Sequence, residues 1–300
     1  MRNRFLSMAL LAAGAIAAIP AASADTLTYV ADVSIVNGGY RIAFGLGDLE
    51  TNNFTEIGTD VPYQLGGIGY GAGHTLFGLD SSNSLVLINR TTGALTTIGY
   101  SGIPLLSFQP DGGAVVPFAA TANGTLYGVD PYNNLYSFDQ ATGAGHLIGS
   151  TGVPYANLED PAVGFANGLA AIGNTLFFSY HAYNIDPLTG KRTTDIVPPA
   201  LWKLDLSRGV ASQVGPISPT TAIFTGIGGV LRAVHLTPQY VIGSILNVNP
   251  QTGAESTFIS SPPQNFFFAA VPAPEKIVIE NASGTSAAVH PAANLRRVMH

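Results

Sequence analysis

The sequence predicts an all-β chain folded as a single β-propeller of about five four-stranded blades. Three observations carry that expectation. A segment pattern returns at a spacing of about fifty residues, the composition is rich in turn formers and poor in charge, and fragments at the two ends complete one another.

The composition sets the class. There are 35 glycines and 20 prolines, while only 10% of residues are charged. Tight turns and crowded strands need the first, and long solvated helices need more charge than this. With no cysteine, disulfides, zinc–thiolate sites, iron–sulfur clusters and cysteine nucleophiles are excluded. The fold must rest on its apolar core, which a chain of this length can make large.

The first residues have the order of a secretory signal peptide. Arg2 and Arg4 precede an apolar stretch from Leu6 to Ile19, and Ala22-Ser23-Ala24 offers a cleavage site. The stretch falls short of the roughly 20 residues that span a bilayer, and no later segment reaches that length. Residues 1–24 are therefore expected to be removed, leaving a periplasmic or secreted protein. Removal takes away two arginines and no acid, leaving 10 basic against 18 acidic residues, a formal net charge of −8. Such a surface does not suit nucleic acid, whose phosphates need clustered Lys and Arg.

The repeat has two signatures. Thr75-Leu-Phe-Gly-Leu-Asp80 returns as Thr125-Leu-Tyr-Gly-Val-Asp130, and in altered form as Thr175-Leu-Phe-Phe-Ser-Tyr180 and Val230-Leu-Arg-Ala-Val-His235. Leu27-Thr-Tyr-Val-Ala-Asp32 fits the same frame. Each copy is followed by a strand and turn such as Leu85-Val-Leu-Ile-Asn89-Arg-Thr-Thr-Gly93 or Leu135-Tyr-Ser-Phe-Asp139-Gln-Ala-Thr-Gly143, then by a segment ending Ile-Gly. Apolar strands joined through Asn/Asp-x-x-Thr-Gly read as hairpins, the glycine taking the positive φ that closes the turn. An earlier strand of small residues, for example Gly66-Gly-Ile-Gly-Tyr-Gly-Ala, precedes the copies after the first and is suited to a crowded central axis. The N-terminal copy lacks this strand, and Phe266-Phe-Phe-Ala-Ala-Val-Pro near the C-terminus supplies it, so the ring is expected to close with strands from both ends. Asp186-Pro-Leu-Thr-Gly190 copies the turn signature inside the fourth unit and leaves a sixth, compressed blade open. The propeller is expected over residues 25–274, and residues 275–300, which fit no unit, as a surface tail.

The Leu-Tyr-Gly-Val-Asp…Leu-Tyr-x-x-Asp-x-x-Thr-Gly…Ile-Gly pattern resembles the repeats of secreted bacterial β-propellers of the broad TolB-like and quinoprotein-like group. The resemblance covers residues 26 to about 273 and implies a fold rather than an activity. The tryptophan docking motifs of quinoprotein blades are absent, Trp202 being the single tryptophan. The resemblance also implies that ligands bind at the mouth where loops enter the inner strands and leave the second strands.

Two sets of residues fall at that mouth. Asp32, Asp80, Asp130, Tyr180 and His235 close the second strands. Aspartates there are expected to cap their own turns, so Tyr180 and His235, with His181 beside them, are the candidate catalytic residues. Asp60, Asp111, Glu159 and Asp160 lie in the loops entering the inner strands; Asp111, Glu159 and Asp160 are candidate ligands for a divalent metal such as calcium, which takes oxygen donors. The insertion His181–Pro199 lies on the same mouth, where a rigid scaffold tends to place recognition. No Gly-x-Ser-x-Gly, His-Glu-x-x-His or phosphate-loop motif occurs. Two functions remain open. One is a scaffold that binds a small molecule, carbohydrate or protein through an acidic mouth. The other is a metal-assisted hydrolase or lyase acting on a small ester, lactone or carbohydrate.

Overall fold

A computed structural model describes residues 27–36, 39–49, 53–58, 65–104, 116–156, 163–186, 188–189, 191–236, 242–259, 267–273, 279–280 and 286–287. The architecture is a five-bladed propeller, each blade a four-stranded antiparallel sheet. Blade 1 holds β1 (Leu27–Val36), β2 (Gly39–Asp48) and β3 (Asn53–Glu56). Blade 2 holds β4 (Leu65–Tyr70), β5 (Leu76–Asp80), β6 (Ser84–Ile88) and β7 (Leu95–Tyr100). Blade 3 follows with β8 (Phe118–Ala120), β9 (Leu126–Val129), β10 (Asn134–Phe138) and β11 (Gly145–Ser150). Blade 4 has the longest strands, β12 (Val163–Ile172), β13 (Thr175–Ile185) and β14 (Arg192–Leu204), with β15 (Ala211–Pro216) outside them. Blade 5 is β16 (Thr221–Ile227), β17 (Val230–Leu236), β18 (Ile242–Val248) and β19 (Glu255–Ile259).

The innermost strand of blade 1 comes from the other end of the chain. β20 (Phe267–Pro272) pairs with β1 in the register Thr28↔Pro272, Val30↔Ala270 and Asp32↔Phe267, so both termini share one sheet as the sequence predicts. The Asp186–Gly190 signature falls in the chain between β13 and β14, which belong to one sheet, so the count is five. A separate pair, β21 (Ile279–Glu280) and β22 (Ser286–Ala287), follows the ring. Among the described residues no helix is long and apolar enough to cross a membrane.

Because side chains alternate across each strand, every blade buries one face against the preceding blade and one against the next. The core accordingly divides into five clusters, one per interface. Phe44, Leu65 and Leu76 join blades 1 and 2, whereas the neighbouring Phe77 and Leu79 meet Val116 and Phe118 of blade 3. Leu176 and Phe178 face blade 3, and Phe177 faces blade 5 with Ile223 and Leu231. The closing interface packs Val30, Leu49 and Ala270 on Phe224 and Val234.

The repeat signatures mate across these interfaces. A Cβ placed on Gly99 at the end of β7 would run into the carbonyl oxygen of Thr142, in the Asp139–Gly143 turn of the next blade. Gly58 stands in the same relation to Thr92, Gly149 to Arg208, and Gly215 to Thr252. The outer-strand glycine of one blade and the residue before the turn glycine of the next thus form one backbone-to-backbone contact, made four times among the described residues. The pair is Ile-Gly on Thr-Gly in blades 1 and 2, with Arg208-Gly209 and Val214-Gly215 as the variants in the other two.

Candidate functional site

The second strands end on the face where the inner strands begin, and there the aspartates act as turn caps. Oδ1 of Asp80 accepts hydrogen bonds from the amides of Ser82 (3.0 Å) and Ser84 (2.8 Å) and from the Ser82 hydroxyl (2.7 Å). Oδ1 of Asp130 accepts from the amides of Tyr132 (2.9 Å) and Asn134 (2.8 Å). Its Oδ2 accepts from Asn134 Nδ2 (2.9 Å) and the Tyr136 hydroxyl (3.1 Å). Both aspartates are buried. Asp32 departs from the expected pattern. It pairs with Ala43 in the middle of β1, which runs on to Val36 rather than ending at the aspartate.

Blade 4 departs from the pattern in the same way. β13 continues through Tyr180 and His181 to Ile185, and β14 returns from Arg192, whereas β15 pairs with β14 only from Ala200 to Leu204. The β13–β14 hairpin therefore extends as an arm past its outer strand β15, while the inner strand β12 stays paired with β13 as far as Val163↔Asn184. His181 braces its base. The imidazole is fully buried, its Nδ1 accepts the Thr220 amide of blade 5 (3.4 Å), and its Nε2 bonds Asp195 Oδ1 (3.0 Å). With Nδ1 accepting, the ring proton sits on Nε2 and is donated to the carboxylate. Arg192 bonds the same oxygen through NH2 (2.6 Å) and Nε (3.1 Å), and its guanidinium lies 5.9 Å from the Tyr183 ring centre. Burial pushes the His181 imidazole below its ordinary value, and the bond to Asp195 opposes the shift. Burial pulls the Asp195 carboxyl upward, yet its bonds to His181 and Arg192 hold it below the usual range.

Tyr180 is buried at the blade 3–blade 4 interface, where its hydroxyl accepts the Ala156 amide (3.4 Å). Burial raises its pKa, and the Ala156 bond opposes the shift. His235 lies on β17 opposite Thr221 of β16. Nδ1 of His235 and Oγ1 of Thr221 are both buried with no hydrogen-bond partner among the described residues. Asp60, Asp111, Glu159 and Asp160 lie outside the described residues. Among the described residues no three His, Asp or Glu side chains stand close enough to hold one ion.

The opposite face holds a feature that the repeat pattern does not single out. A cavity of about 370 Å³ opens at the channel end where the inner strands turn back, lined by Tyr70, His74, Thr121, Asn123, Ala171 and Pro272 among others. His74 lies in a short 3₁₀ turn, Ala72–His74, with its φ at 57°. A signal for it is present in the sequence. His74 precedes Thr75 as Gly124 precedes Thr125 and Gly229 precedes Val230, and both glycines have positive φ.

The fold has counterparts among solved structures. TolB from Acinetobacter baumannii superposes with a TM-score of 0.43 at 12% identity, over 80% of this chain and 54% of that one. A calcium-binding protein, regucalcin, from Agrobacterium tumefaciens gives a TM-score of 0.40 at 12% identity, over 77% and 73%. An oligogalacturonate lyase in complex with manganese gives 0.36 at 13% identity, over 77% and 59%. The chain thus spans about half the length of TolB and less than two thirds of the lyase. No protein-family model matches the chain, and no curated protein matches it. The likeness is one of fold alone: this chain shares the propeller architecture of TolB-like proteins.

Proposed function

We propose that the protein is an exported propeller that serves as a binding scaffold, presenting the face where the second strands end, with the blade 4 arm as its recognition element. The observation that carries this reading is the arm itself. It is fixed to the next blade through His181 and Thr220, while Leu188 near its end is 94% exposed and Ile196, beside Asp195, 40%. A braced hairpin bearing apolar side chains in solvent suits a protein or ligand surface better than it suits the fold. The acidic residues Asp60, Asp111, Glu159 and Asp160 would add charge to the same mouth. The immobilised mature protein, challenged with a periplasmic extract of its native host, is expected to retain a defined set of proteins. A variant with residues 184–195 replaced by Asn-Gly should lose that set. Retention of the same set by the trimmed variant defeats the reading.

A second reading rests on Nδ1 of His235 and Oγ1 of Thr221, which are buried and have no hydrogen-bond partner among the described residues. In it the protein is a metal-assisted hydrolase or lyase on a small ester, lactone or carbohydrate. His181, His235 and Tyr180 would serve the reaction, and Asp111, Glu159 and Asp160 would hold calcium or another divalent ion. Elemental analysis of the purified mature chain tests it, one divalent ion per chain being the result that favours it over the scaffold.

A further inference from the structure

The channel end opposite the arm has the build of a ligand pocket. Its rim is a chain of hydrogen bonds between blades. Gln140 accepts the Ala72 amide (2.9 Å) and donates to the Gly124 carbonyl (2.7 Å), tying the turns of blades 2 and 3. The Ala122 amide donates to Gly173 O (2.8 Å) and the Asn123 amide to Asn174 Oδ1 (2.9 Å), tying blades 3 and 4. Blade 1 contributes no turn here, since its two inner strands come from opposite chain ends, and β20 brings Val271 and Pro272 to the cavity instead. The cavity is therefore shaped before anything enters it.

One position breaks the repeat in favour of the cavity. Blades 3 and 5 place glycine at positive φ here and blade 4 places Asn174 outside that region, whereas blade 2 places His74 in the left-handed conformation, which a side chain disfavours and glycine does not. A fold-only requirement would be met better by glycine. The His74 ring stands edge-on to Tyr70, with centroids 6.1 Å apart, making an aromatic wall. Asn123 uses its Oδ1 for Thr121 Oγ1 (2.6 Å) and the Thr125 amide (3.1 Å), so its Nδ2 keeps its donors for a guest. Among the described residues the lining includes no Lys, Arg, Asp or Glu; Arg90, outside that lining, bears on Tyr70.

We propose that this cavity binds an uncharged, hydroxyl-bearing ring of monosaccharide size, with the ring against Tyr70 and His74 and its hydroxyls at His74 and Asn123 Nδ2. An aromatic wall offers a face to the ring's C–H groups, the imidazole and amide exchange hydrogen bonds with hydroxyls, and the described lining has no charged side chain to pair with a carboxylate or phosphate. The inference does not rest on the arm or on the opposite mouth, and it survives the failure of either.

The test follows the Asn123 side-chain amide by NMR in the mature chain during titration with D-glucose, D-galactose and N-acetylglucosamine. At least one sugar should give a saturable shift, with a dissociation constant of about 1–10 mM. His74→Gly should weaken that binding at least about tenfold while leaving the melting midpoint unchanged or raised, because glycine suits the backbone better. Three results overturn the proposal: no saturable shift with any of the three sugars, binding retained in H74G, or D-galacturonate binding as tightly as D-galactose.

Discussion

Replacing Asp130 by alanine would strand four donors at once: the amides of Tyr132 and Asn134, Asn134 Nδ2 and the Tyr136 hydroxyl. Unmet bonds of this kind around a buried carboxylate cost about 2–4 kcal/mol in total, since part of the turn can reach water. Urea unfolding of D130A should show that loss. The same carboxylate bears on Tyr136, whose pKa is pushed up to about 12, first by burial and then by the charge and bond of Asp130. Tyrosinate absorbance in D130A should therefore titrate Tyr136 at a lower pH. His181 makes a prediction of opposite sign. Its folded imidazole resists protonation below the ordinary 6.5, so the unfolded chain takes the proton first. Stability is full above that value and falls as pH drops below it, until the folded ring titrates as well. The urea midpoint should decline between about pH 7 and pH 5. His181→Gln should be weaker at every pH but lack most of that slope.

At the scale of the element, the mated glycines and the open ones separate cleanly. Gly99 sits against the Thr142 carbonyl of the next blade, whereas at Gly152, with φ at 72°, a Cβ would meet nothing within 4 Å. Gly99→Ala must push two backbones apart and is expected to cost about 1–3 kcal/mol or more. Gly152→Ala carries only the left-handed strain, about 1 kcal/mol. Chemical denaturation of the pair checks the order. The two signatures are legible in the sequence because each such contact tolerates only glycine, and the same constraint recurs blade after blade. Strand length is not legible in that way. Asp32 reads as a strand end because it aligns with Asp80, but Asn37-Gly38 five residues later is itself a strong hairpin signal, and β1 and β2 run up to it on either side. In blade 4 the Asp186-Pro-Leu-Thr-Gly190 segment reads as a blade turn, yet it falls between two strands that run past the outer strand β15. Local turn chemistry is the same in both settings, and only pairing partners distinguish them.

For the whole molecule, the closure of blade 1 decides whether there is a ring at all. Deleting residues 267–300 removes β20 and exposes the inner edge of β1, with the Val30–Ala270 pairing lost at the seam. That variant should fail to show a cooperative melt by circular dichroism, while deletion of residues 274–300 should leave the midpoint within about 2 °C, since no blade loses a strand. The seam is legible because β20 completes a unit that is otherwise short of one strand. The cavity at His74 is less so: His74 departs from Gly124 and Gly229, but it lies at the opposite end of the channel from the second-strand ends, where the resemblance implies a ligand site. The site candidates Tyr180, His181 and His235 also stand out by breaking the repeat. Of these, His181 is held between Thr220 and Asp195 as a strut.

Thr28 and Pro272 are direct neighbours across the sheet, so the polypeptide is almost a closed loop already. A few residues of linker could join position 273 to position 27, with fresh ends cut between β7 and β8. In that rearranged order all five blades would be built from consecutive hairpins, and the first sheet would no longer wait for the last segment synthesised. Such a permuted chain should reach the same ring faster than the natural one, having replaced its longest-range pairing with a local one.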